Sequence, residues 1–310
     1  MHIARSLQEA SELQLDLPAI LTIGNFDGVH RGHASVLQHV VEVAKKENKH
    51  SVVITFANHP SEVLRVTQPT LLLCTLDHKI KLLKEAHIDC VVLITFTKEL
   101  SEQTAEEFLK TVRHAIPYHT LLLGSDAHIG KNREGDKTRI STLAKSMGFS
   151  VTYFPDLNHE GQRISSSRVR QCIEQGRLKD AEMLLGRPYS ICGPVLKGHG
   201  RGAPLGFPTA NISVDKLCLP PLGVYAVTLW DEGKPHDAVA NLGNAPTVHQ
   251  ERAPLLEVHL FDQHIDLYGH IVDVQFKTFI RPEKRFDTLE TLKAQIAQDI
   301  IQAKKFTSLD

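Results

Sequence analysis

Gly24-Asn-Phe-Asp-Gly-Val-His-Arg-Gly-His33 is the stretch that decides the fold of this 310-residue chain. The apolar run Ala19–Ile23 before it predicts a buried strand, and the apolar residues of Ala34–Ala44 after it recur at helical spacing. A strand, a glycine-rich turn and a helix in this order place unpaired backbone N–H groups and the positive end of a helix at the turn. The turn is therefore a candidate phosphate site, and His30 and His33 add two side chains that can donate hydrogen bonds there.

The composition of the chain argues against several classes of protein. Its 35 lysine and arginine residues balance 36 aspartate and glutamate residues, so nothing indicates nucleic acid as the main partner. The five cysteines are far apart and form no Cys-x-x-Cys pair, so neither a zinc knuckle nor a disulfide framework is indicated, and we expect a reduced, cytoplasmic protein. The first residues lack the apolar core of a signal peptide, and no apolar stretch reaches membrane-spanning length, so we expect no membrane partner.

The first 155 residues alternate strand-like and helix-like segments. The strand candidates are Ala19–Ile23, Ser51–Phe56, Cys90–Phe96, His119–Gly124 and Phe149–Phe154, and the helical patterns are His33–Lys46, Leu76–Ala86, Ala105–Arg113 and Arg139–Met147. Continuous Val, Ile and Leu runs are typical of parallel strands covered on both faces, and the alternation predicts βαβ units in a Rossmann-like, doubly wound α/β domain. Ligands bind such sheets beyond the carboxyl ends of the strands, where Gly24–His33, Ala57–Pro60 and Ser125–Asp136 are expected to lie.

The pattern changes in the second part of the chain. Two more helices are predicted over Ser165–Gly176 and Leu178–Leu185, and the segment Gly186–Ser190 ends the α/β alternation. The later strand signals are short runs broken by Gly and Pro, which predict a small antiparallel barrel or sandwich; they include Gly223–Trp230, Leu255–Phe261 and Ile271–Phe279. A last amphipathic helix is predicted over Leu289–Ala303, with Leu289, Leu292, Ile296, Ile300 and Ala303 on one face. We therefore predict two domains, residues 1–186 and 187–310.

A second candidate phosphate site follows the predicted α/β strands, at Ile164-Ser-Ser-Ser-Arg-Val-Arg170. Any single serine here reads equally well as an ordinary helix N-cap, and a pair of histidines is more often a surface or core feature than a site. Three serines and two arginines at one predicted helix start favour a phosphate clamp instead.

Together these residues resemble the H-x-G-H and I-S-S-[ST]-x-x-R signatures of the nucleotidyltransferase superfamily. The longer string Gly-x-Phe-Asp-Gly-Val-His-x-Gly-His, with Thr55–Pro60 downstream, is similar to the FMN adenylyltransferase module of bacterial FAD synthetases. The resemblance implies direct attack of the FMN phosphate on the α-phosphorus of ATP, with catalysis by positioning and electrostatic stabilisation. It implies catalytic roles for His30, His33 and Arg170, and substrate-binding roles for Gly24, Phe26, Asp27, Gly28, Asn58, His59, Asp126, Ser165, Ser166, Ser167 and Arg168.

The chain departs from this family pattern at a few positions. Ala127 and Ile129 stand where the family usually shows two aromatic residues, which leaves flavin stacking in that loop open while Asp126 is retained. Asn58 replaces the proline that usually opens the Pro-His-Pro motif.

A second dense motif is Gly198-His-Gly-Arg-Gly-Ala-Pro-Leu-Gly-Phe-Pro-Thr-Ala-Asn211. A glycine-rich pattern alone is weak and fits a hairpin connection equally well, and this one matches neither a Rossmann fingerprint nor a P-loop. Thr209 and Asn211, two apart in an extended stretch, face the same side and offer two oxygens to a hard cation.

This segment resembles the riboflavin kinase signature, and further strings that match that module follow in order up to Phe286. The resemblance implies a six-stranded Greek-key barrel that transfers the γ-phosphate of ATP to riboflavin, with Mg²⁺ held by Thr209 and Asn211. It makes Glu257 the general base, although a glutamate in a strand also fits an ordinary solvated face. It implies substrate-binding roles for Gly198, Gly200, Arg201, Gly206, Pro208, Tyr225, Asn241 and Arg281. Ala245 stands where many relatives carry arginine, a contact that Arg252 or Arg281 would have to supply.

The two resemblances together predict a bifunctional FAD synthetase that uses riboflavin, FMN and ATP with a divalent cation. Two alternatives of other classes stay open. One is a flavin or nucleotide binder with decayed sites, and the other is a different nucleotidyltransferase with an appended barrel. A nucleic-acid-binding barrel is the weakest reading, because the charge is balanced and no aromatic and basic residues interleave.

Overall fold

A computed structural model describes residues 1–13, 18–197, 206–244, 254–261 and 265–307. The chain is divided into two compact units. The first unit comprises residues 1–70 and 79–165, and the second comprises residues 71–78 and 166–310.

The first unit is built on a six-stranded, all-parallel sheet. Its strands are β1 (His2–Ala4), β2 (Ala19–Ile23), β3 (His50–Phe56), β4 (Cys90–Ile94), β5 (Tyr118–Gly124) and β6 (Ser150–Phe154), in the order β1-β4-β3-β2-β5-β6. Its helices are α1 (Leu7–Glu12), α2 (Arg31–Glu47), α3 (Ser61–Leu64), α4 (Leu76–Glu85, which starts in the other unit), α5 (Lys98–Glu102), α6 (Ala105–Ala115) and α7 (Lys137–Met147). The strand order reverses beside β2, so the turn after β2 lies at the switch point where doubly wound sheets bind ligands. The predicted Rossmann-like architecture is confirmed.

Burial explains why the strands were readable from the sequence. All five residues of β2 and of β4 are buried, as expected for strands covered on both faces. The segments β1, α1 and α5 were not predicted. β1 has only three residues, two of them exposed, so it carries no apolar run, although it pairs with β4 through Ile3 and Val91.

The second unit holds a closed antiparallel barrel of six strands. The strands are β9 (Ser190–Leu196), β10 (Ala210–Ser213), β11 (Gly223–Asp231), β12 (Lys234–Asn244), β13 (Pro254–Leu260) and β14 (Ile271–Pro282), in the order β10-β13-β12-β11-β14-β9. A short hairpin of β7 (Asn158–His159) and β8 (Gln162–Arg163) ends the first unit. The helices α8 (Ser166–Glu174), α9 (Leu178–Leu185) and α10 (Leu289–Thr307) complete the second unit, which confirms the predicted barrel with a terminal helix.

The helices α8 and α9 belong to the second unit, together with the segment 71–78. That segment is tied in by hydrogen bonds, such as Leu72 N to Lys216 O at 2.8 Å and Thr75 Oγ1 to Cys192 O at 3.0 Å. Residues 166–185 thus lie in the same unit as the barrel, whereas the predicted domain boundary follows residue 186. The position of the domain boundary stays a prediction. Within the described part of the chain, no helix is long and apolar enough to cross a membrane.

Candidate active sites

The turn after β2 bends through several left-handed backbone conformations. Phe26, Gly28 and Val29 have φ values of 48°, 74° and 38°. A β-branched residue rarely adopts such a φ, so the turn is held in a strained shape of the kind found at ligand sites. Gly32 is required for a different reason: a Cβ there would lie 3.2 Å from the His30 ring and 3.8 Å from the Ile164 carbonyl oxygen. Gly32 therefore lets the start of α2 pack closely against the His30 ring and the segment that contains Ile164.

The two histidines of the turn pack face to face. The rings of His30 and His33 stack with centroids 3.7 Å apart, and His30 Nδ1 accepts a hydrogen bond from the His33 backbone N–H at 3.2 Å. His30 thus caps α2, with only 6% of its surface exposed. Phe26 meets the His33 ring edge-on, with centroids 5.2 Å apart.

His33 is held in its neutral form. Burial lowers the pKa of His33 well below 6.5, and the charges of His30, Lys79 and Arg163 lower it further. Its Nδ1 is buried without a hydrogen-bond partner among the described residues. A hydrogen on Nδ1 would be a buried donor without an acceptor, which costs more free energy than an unprotonated Nδ1 at the same place. We therefore assign the ring hydrogen to Nε2, which makes Nε2 a donor for an anionic ligand.

Arg163 is a residue that the sequence reasoning missed. Its guanidinium makes ion pairs with Asp126 and, from Nε at 3.1 Å, with Asp156 Oδ1, while Ser125 Oγ donates to the same Asp156 oxygen at 2.6 Å. Arg163 directly precedes Ile164, whose carbonyl oxygen would lie 3.8 Å from a Cβ at Gly32, so Arg163 lies close to the H-x-G-H turn. The clue in the sequence is its place directly before Ile164-Ser-Ser-Ser. The predicted ligand residue Asp126 therefore orients an arginine.

The predicted binding residues Asn58 and His59 are engaged in local contacts. The Asn58 amide donates to the Phe96 carbonyl at 3.0 Å and accepts from the Phe96 N–H at 2.8 Å, so this side chain fixes the segment after β4. His59 Nδ1 accepts from the Ser61 backbone N–H at 3.1 Å, and the His59 N–H donates to Glu62 at 2.9 Å. Both residues border the carboxyl edge of the sheet, and Asn58 acts there as a structural clamp.

The serine-rich motif begins beside the histidine turn. Ile164 and Ser165 end the first unit, and the Ile164 carbonyl faces Gly32 as described above. Ser166 starts α8 in the second unit, with Ser167 exposed and Arg168 half-buried. Arg170 Nε donates to the Leu71 carbonyl at 2.6 Å within that unit. The phosphate-binding roles of residues 165–170 stay predictions.

The two absent aromatics are explained in part by packing. Ile129 is buried in the core of the first unit and its backbone pairs with Gly135, while Ala127 packs against the same core. Position 129 is thus a core position in this chain. Gly24, Asp27 and Gly28 lie in the turn as predicted, with Asp27 only 2% exposed.

In the barrel, three polar residues form a row across neighbouring strands. Asn211 on β10 pairs with Glu257 on β13, and Glu257 pairs with Asn241 on β12. Directly opposed residues point to the same face with Cβ atoms about 5 Å apart. The burial of β13 alternates, with Leu256 and Val258 fully buried inside the barrel, so Glu257 lies on the outer face. Three predicted site residues are therefore brought together.

Thr209, two residues before Asn211, lines a pocket. His259 donates from Nδ1 to the Pro208 carbonyl at 2.9 Å and meets Phe207 edge-on, which fixes the chain before Thr209. His259 is a second residue that the sequence reasoning missed. A pocket of about 340 Å³ adjoins this segment, and its lining includes Pro208, Thr209, Val258, Leu260 and Tyr268.

Two residues that are predicted to bind substrate, Arg281 and Tyr225, make hydrogen bonds within the second unit. Arg281 donates from Nε and Nη2 to the two Asp299 oxygens at 2.8 and 2.6 Å and from Nη1 to the Pro282 carbonyl at 2.9 Å, so its guanidinium ties β14 to α10. The Tyr225 side chain is 1% exposed, its hydroxyl donates to the Pro221 carbonyl, and burial raises its pKa.

Some predicted residues lie outside the described part of the chain. These are Gly198, Gly200, Arg201, Ala245 and Arg252. Gly206 and Pro208 are described, and Gly206 has a φ of 89°.

Comparison with protein families divides the chain as the sheets do. The FAD synthetase family matches residues 13–168, and the riboflavin kinase family matches residues 185–307. The bifunctional riboflavin kinase/FMN adenylyltransferase of Escherichia coli K12 is 38% identical over 312 aligned residues, covering 100% of this chain and 99% of the relative. The chain belongs to the bifunctional riboflavin kinase/FMN adenylyltransferase family. The relatives from Haemophilus influenzae and Listeria monocytogenes are 37% and 33% identical, over 99% and 94% of this chain and 99% and 93% of their own.

The same two-part fold occurs in a solved structure. A crystal structure of a macrolide-efflux protein from Streptococcus pneumoniae has a TM-score of 0.82 and 27% identity, and the match covers 98% of this chain and 99% of that one. The likeness places a protein named for a different activity on the same scaffold as this riboflavin kinase/FMN adenylyltransferase family member. Fold alone does not fix function, so the residues of the two sites must carry the argument.

Proposed function

We propose that this chain makes FAD from riboflavin in two ATP-dependent steps, one in each compact unit. In the second unit the 5′-hydroxyl of riboflavin attacks the γ-phosphorus of ATP, which gives FMN and ADP. In the first unit the phosphate of FMN attacks the α-phosphorus of a second ATP, which gives FAD and pyrophosphate. Family membership over the whole length of the chain supports both activities. The five cysteines are buried as thiols, which suits a reducing cytoplasm.

The adenylyl transfer needs no covalent enzyme intermediate. The proposed donors to the phosphate oxygens are the Nε2 hydrogen of His33 and the N–H groups of the first turn of α2 that His30 does not cap. The guanidinium of Arg163, oriented by Asp126 and Asp156, adds positive charge beside them. Residues 165–168 and Arg170 are proposed to bind the departing pyrophosphate, on the strength of their motif.

The kinase step is proposed to use the polar row of the barrel. Glu257 accepts the proton of the ribityl hydroxyl, and Asn211 and Asn241 flank its carboxylate on the neighbouring strands.

A divalent cation fits the donors of this site. Across the described residues no group of three or more His, Cys, Asp or Glu side chains is arranged to hold a metal ion. The oxygens of Thr209 and Asn211, with the carboxylate of Glu257 opposite, are instead the hard donors that Mg²⁺ accepts alongside substrate phosphates. We propose that Thr209 and Asn211 hold Mg²⁺, which would neutralise charge on the ATP phosphates.

The observation that carries the proposal is the register Asn211–Glu257–Asn241, which assembles the predicted base and metal ligand in one place, together with the H-x-G-H turn in the other unit. The experiment incubates purified protein with riboflavin, ATP and MgCl₂ and separates the flavins by chromatography. We expect FMN first and FAD later, with pyrophosphate released in step with FAD. Unchanged riboflavin would refute both activities, and FMN without FAD would refute the role of the first unit.

A further inference from the structure

The first unit contains a buried lysine that has no role in the proposed reaction. Lys79, near the start of α4, is only 6% exposed, although lysine is almost never buried without a specific partner. Lys84, near the end of the same helix, is exposed as lysines usually are. Removing an ammonium group from water is costly, so the position needs a reason.

The ammonium group of Lys79 is bound to the edge of the sheet that faces the ligand. Nζ donates to the carbonyl of Phe56 at 3.0 Å, and Phe56 is the last residue of β3. The next residues, Ala57 and Asn58, are held to β4 and its following segment by backbone and amide hydrogen bonds. Lys79 therefore helps to fix the carboxyl end of a central strand, directly before the Asn58-His59-Pro60 loop.

The end of β3 is joined to the histidine turn by two hydrogen bonds. The Gly24 N–H donates to the Ile54 carbonyl at 3.0 Å, and Thr55 Oγ1 donates to the Asn25 carbonyl at 3.0 Å. The charge of Lys79 also acts on His33. The charged or titratable groups that act on His33 come from three elements: His30 at the start of α2, Lys79 on α4 and Arg163 on β8. All three oppose the protonation of His33. A protonated ring would bury an Nδ1–H without an acceptor, so it would have to leave its stacked position on His30.

We propose that Lys79 is a positioning residue of the adenylyl transfer site, which orders the end of β3 and, through the hydrogen bonds from β3 to the histidine turn, keeps His33 stacked on His30 with Nε2 available to a phosphate. The inference rests on the proposed FMN adenylyltransferase activity of the first unit. The lysine acts through the carbonyl of Phe56 and through His33.

The test compares Lys79→Met with Lys84→Met, which removes an exposed charge from the same helix. FMN adenylylation is measured from pH 5.5 to 8.5 with FMN and ATP, and riboflavin phosphorylation by the same chain reports whether the protein is folded. We expect Lys79→Met to lower kcat/KM for FMN adenylylation by about 10- to 100-fold, as small misplacements of reacting groups do. We expect Lys84→Met to leave it unchanged and Lys79→Arg to recover most of the loss.

The pH profile separates this role from simple support of the fold. Removing the positive charge raises the pKa of His33, so the acidic limb of the Lys79→Met profile should move to higher pH, while that of Lys79→Arg should stay in place. Equal rates for Lys79→Met and Lys84→Met would overturn the proposal, and so would a loss of rate with an unmoved acidic limb. If Lys79→Met abolishes both reactions, the experiment uses Lys79→Gln instead, which is uncharged but still polar. We expect the same loss of FMN adenylylation and the same shift of the acidic limb for that variant. A wild-type chain that makes no FAD would instead overturn the proposed function.

Discussion

The Arg281–Asp299 ion pair allows a quantitative prediction about the barrel. The two side chains are 14% and 5% exposed and meet through two hydrogen bonds, and Gln295 Nε2 donates to Asp299 at 2.9 Å. Replacing Asp299 by Asn keeps the shape of the side chain but removes its negative charge. The Asn NH₂ group would then face a guanidinium nitrogen of Arg281, although neither group can accept a hydrogen bond. Breaking a buried pair from one side costs about 3 to 5 kcal/mol.

The chain supplies its own probe for this change. Trp230, the single tryptophan, lies on β11, the strand that pairs with β14. Its fluorescence therefore reports urea unfolding of the barrel. With a slope of about 2 kcal/mol per M, a loss of 3 to 5 kcal/mol lowers the urea midpoint by about 1.5 to 2.5 M.

The result also decides what Arg281 does. We expect Arg281→Met to lower the midpoint by a similar amount, and both variants to keep the wild-type KM for riboflavin and ATP in the absence of urea. The exposed Asp287→Asn variant serves as the control and should leave the midpoint unchanged. A rise in KM for Arg281→Met alone, with the stability of the barrel preserved, would contradict the structural role and restore the predicted contact with substrate.

Two further predictions concern the residues that the sequence reasoning missed. Arg163→Met should lower the rate of FMN adenylylation by about 100-fold, because it removes the oriented cation beside His33. The control variant Arg133→Met, on an exposed turn, should keep the wild-type rate. Equal activities of the two variants in a flavin assay would contradict the role of Arg163. His259→Ala should lower the rate of riboflavin phosphorylation by about 10-fold and leave FMN adenylylation unchanged, because it removes the hydrogen bond to the Pro208 carbonyl before Thr209. Steady-state rates of both reactions measure the effect, and an unchanged rate of riboflavin phosphorylation would contradict the prediction.

The sequence predicted the elements whose burial is uniform and missed those that depend on distant partners. The run Ala19–Ile23 is the strand β2 to the residue, because every side chain in it is buried. The strand Lys234–Asn244 was not singled out, because its first half is polar and it contains Pro235 and Gly243. Its place in the barrel comes from pairing with β11 and β13, which no local pattern encodes.

The sites show the same division. The motifs indicated which residues lie at the H-x-G-H turn and in the row around Glu257, but they did not indicate the partners of individual side chains. Arg281 was expected to bind substrate, whereas its guanidinium is taken up by Asp299, which lies 18 residues later on α10. Arg163 was overlooked because its guanidinium is oriented by Asp126 and Asp156, and only the fold brings these carboxylates next to it.

The central claim is that two separate sites act in sequence, and mixing two variants tests it most directly. The variant with His30→Ala and His33→Ala lacks the two histidine rings of the first unit, and Glu257→Gln lacks the base of the second. His114→Ala on the exposed face of α6 serves as the control. With riboflavin, ATP and MgCl₂, we predict that the double variant accumulates FMN, that Glu257→Gln leaves riboflavin unchanged, and that the mixture forms FAD. A mixture of folded variants that forms no FAD, or either variant alone completing both steps, would contradict the account.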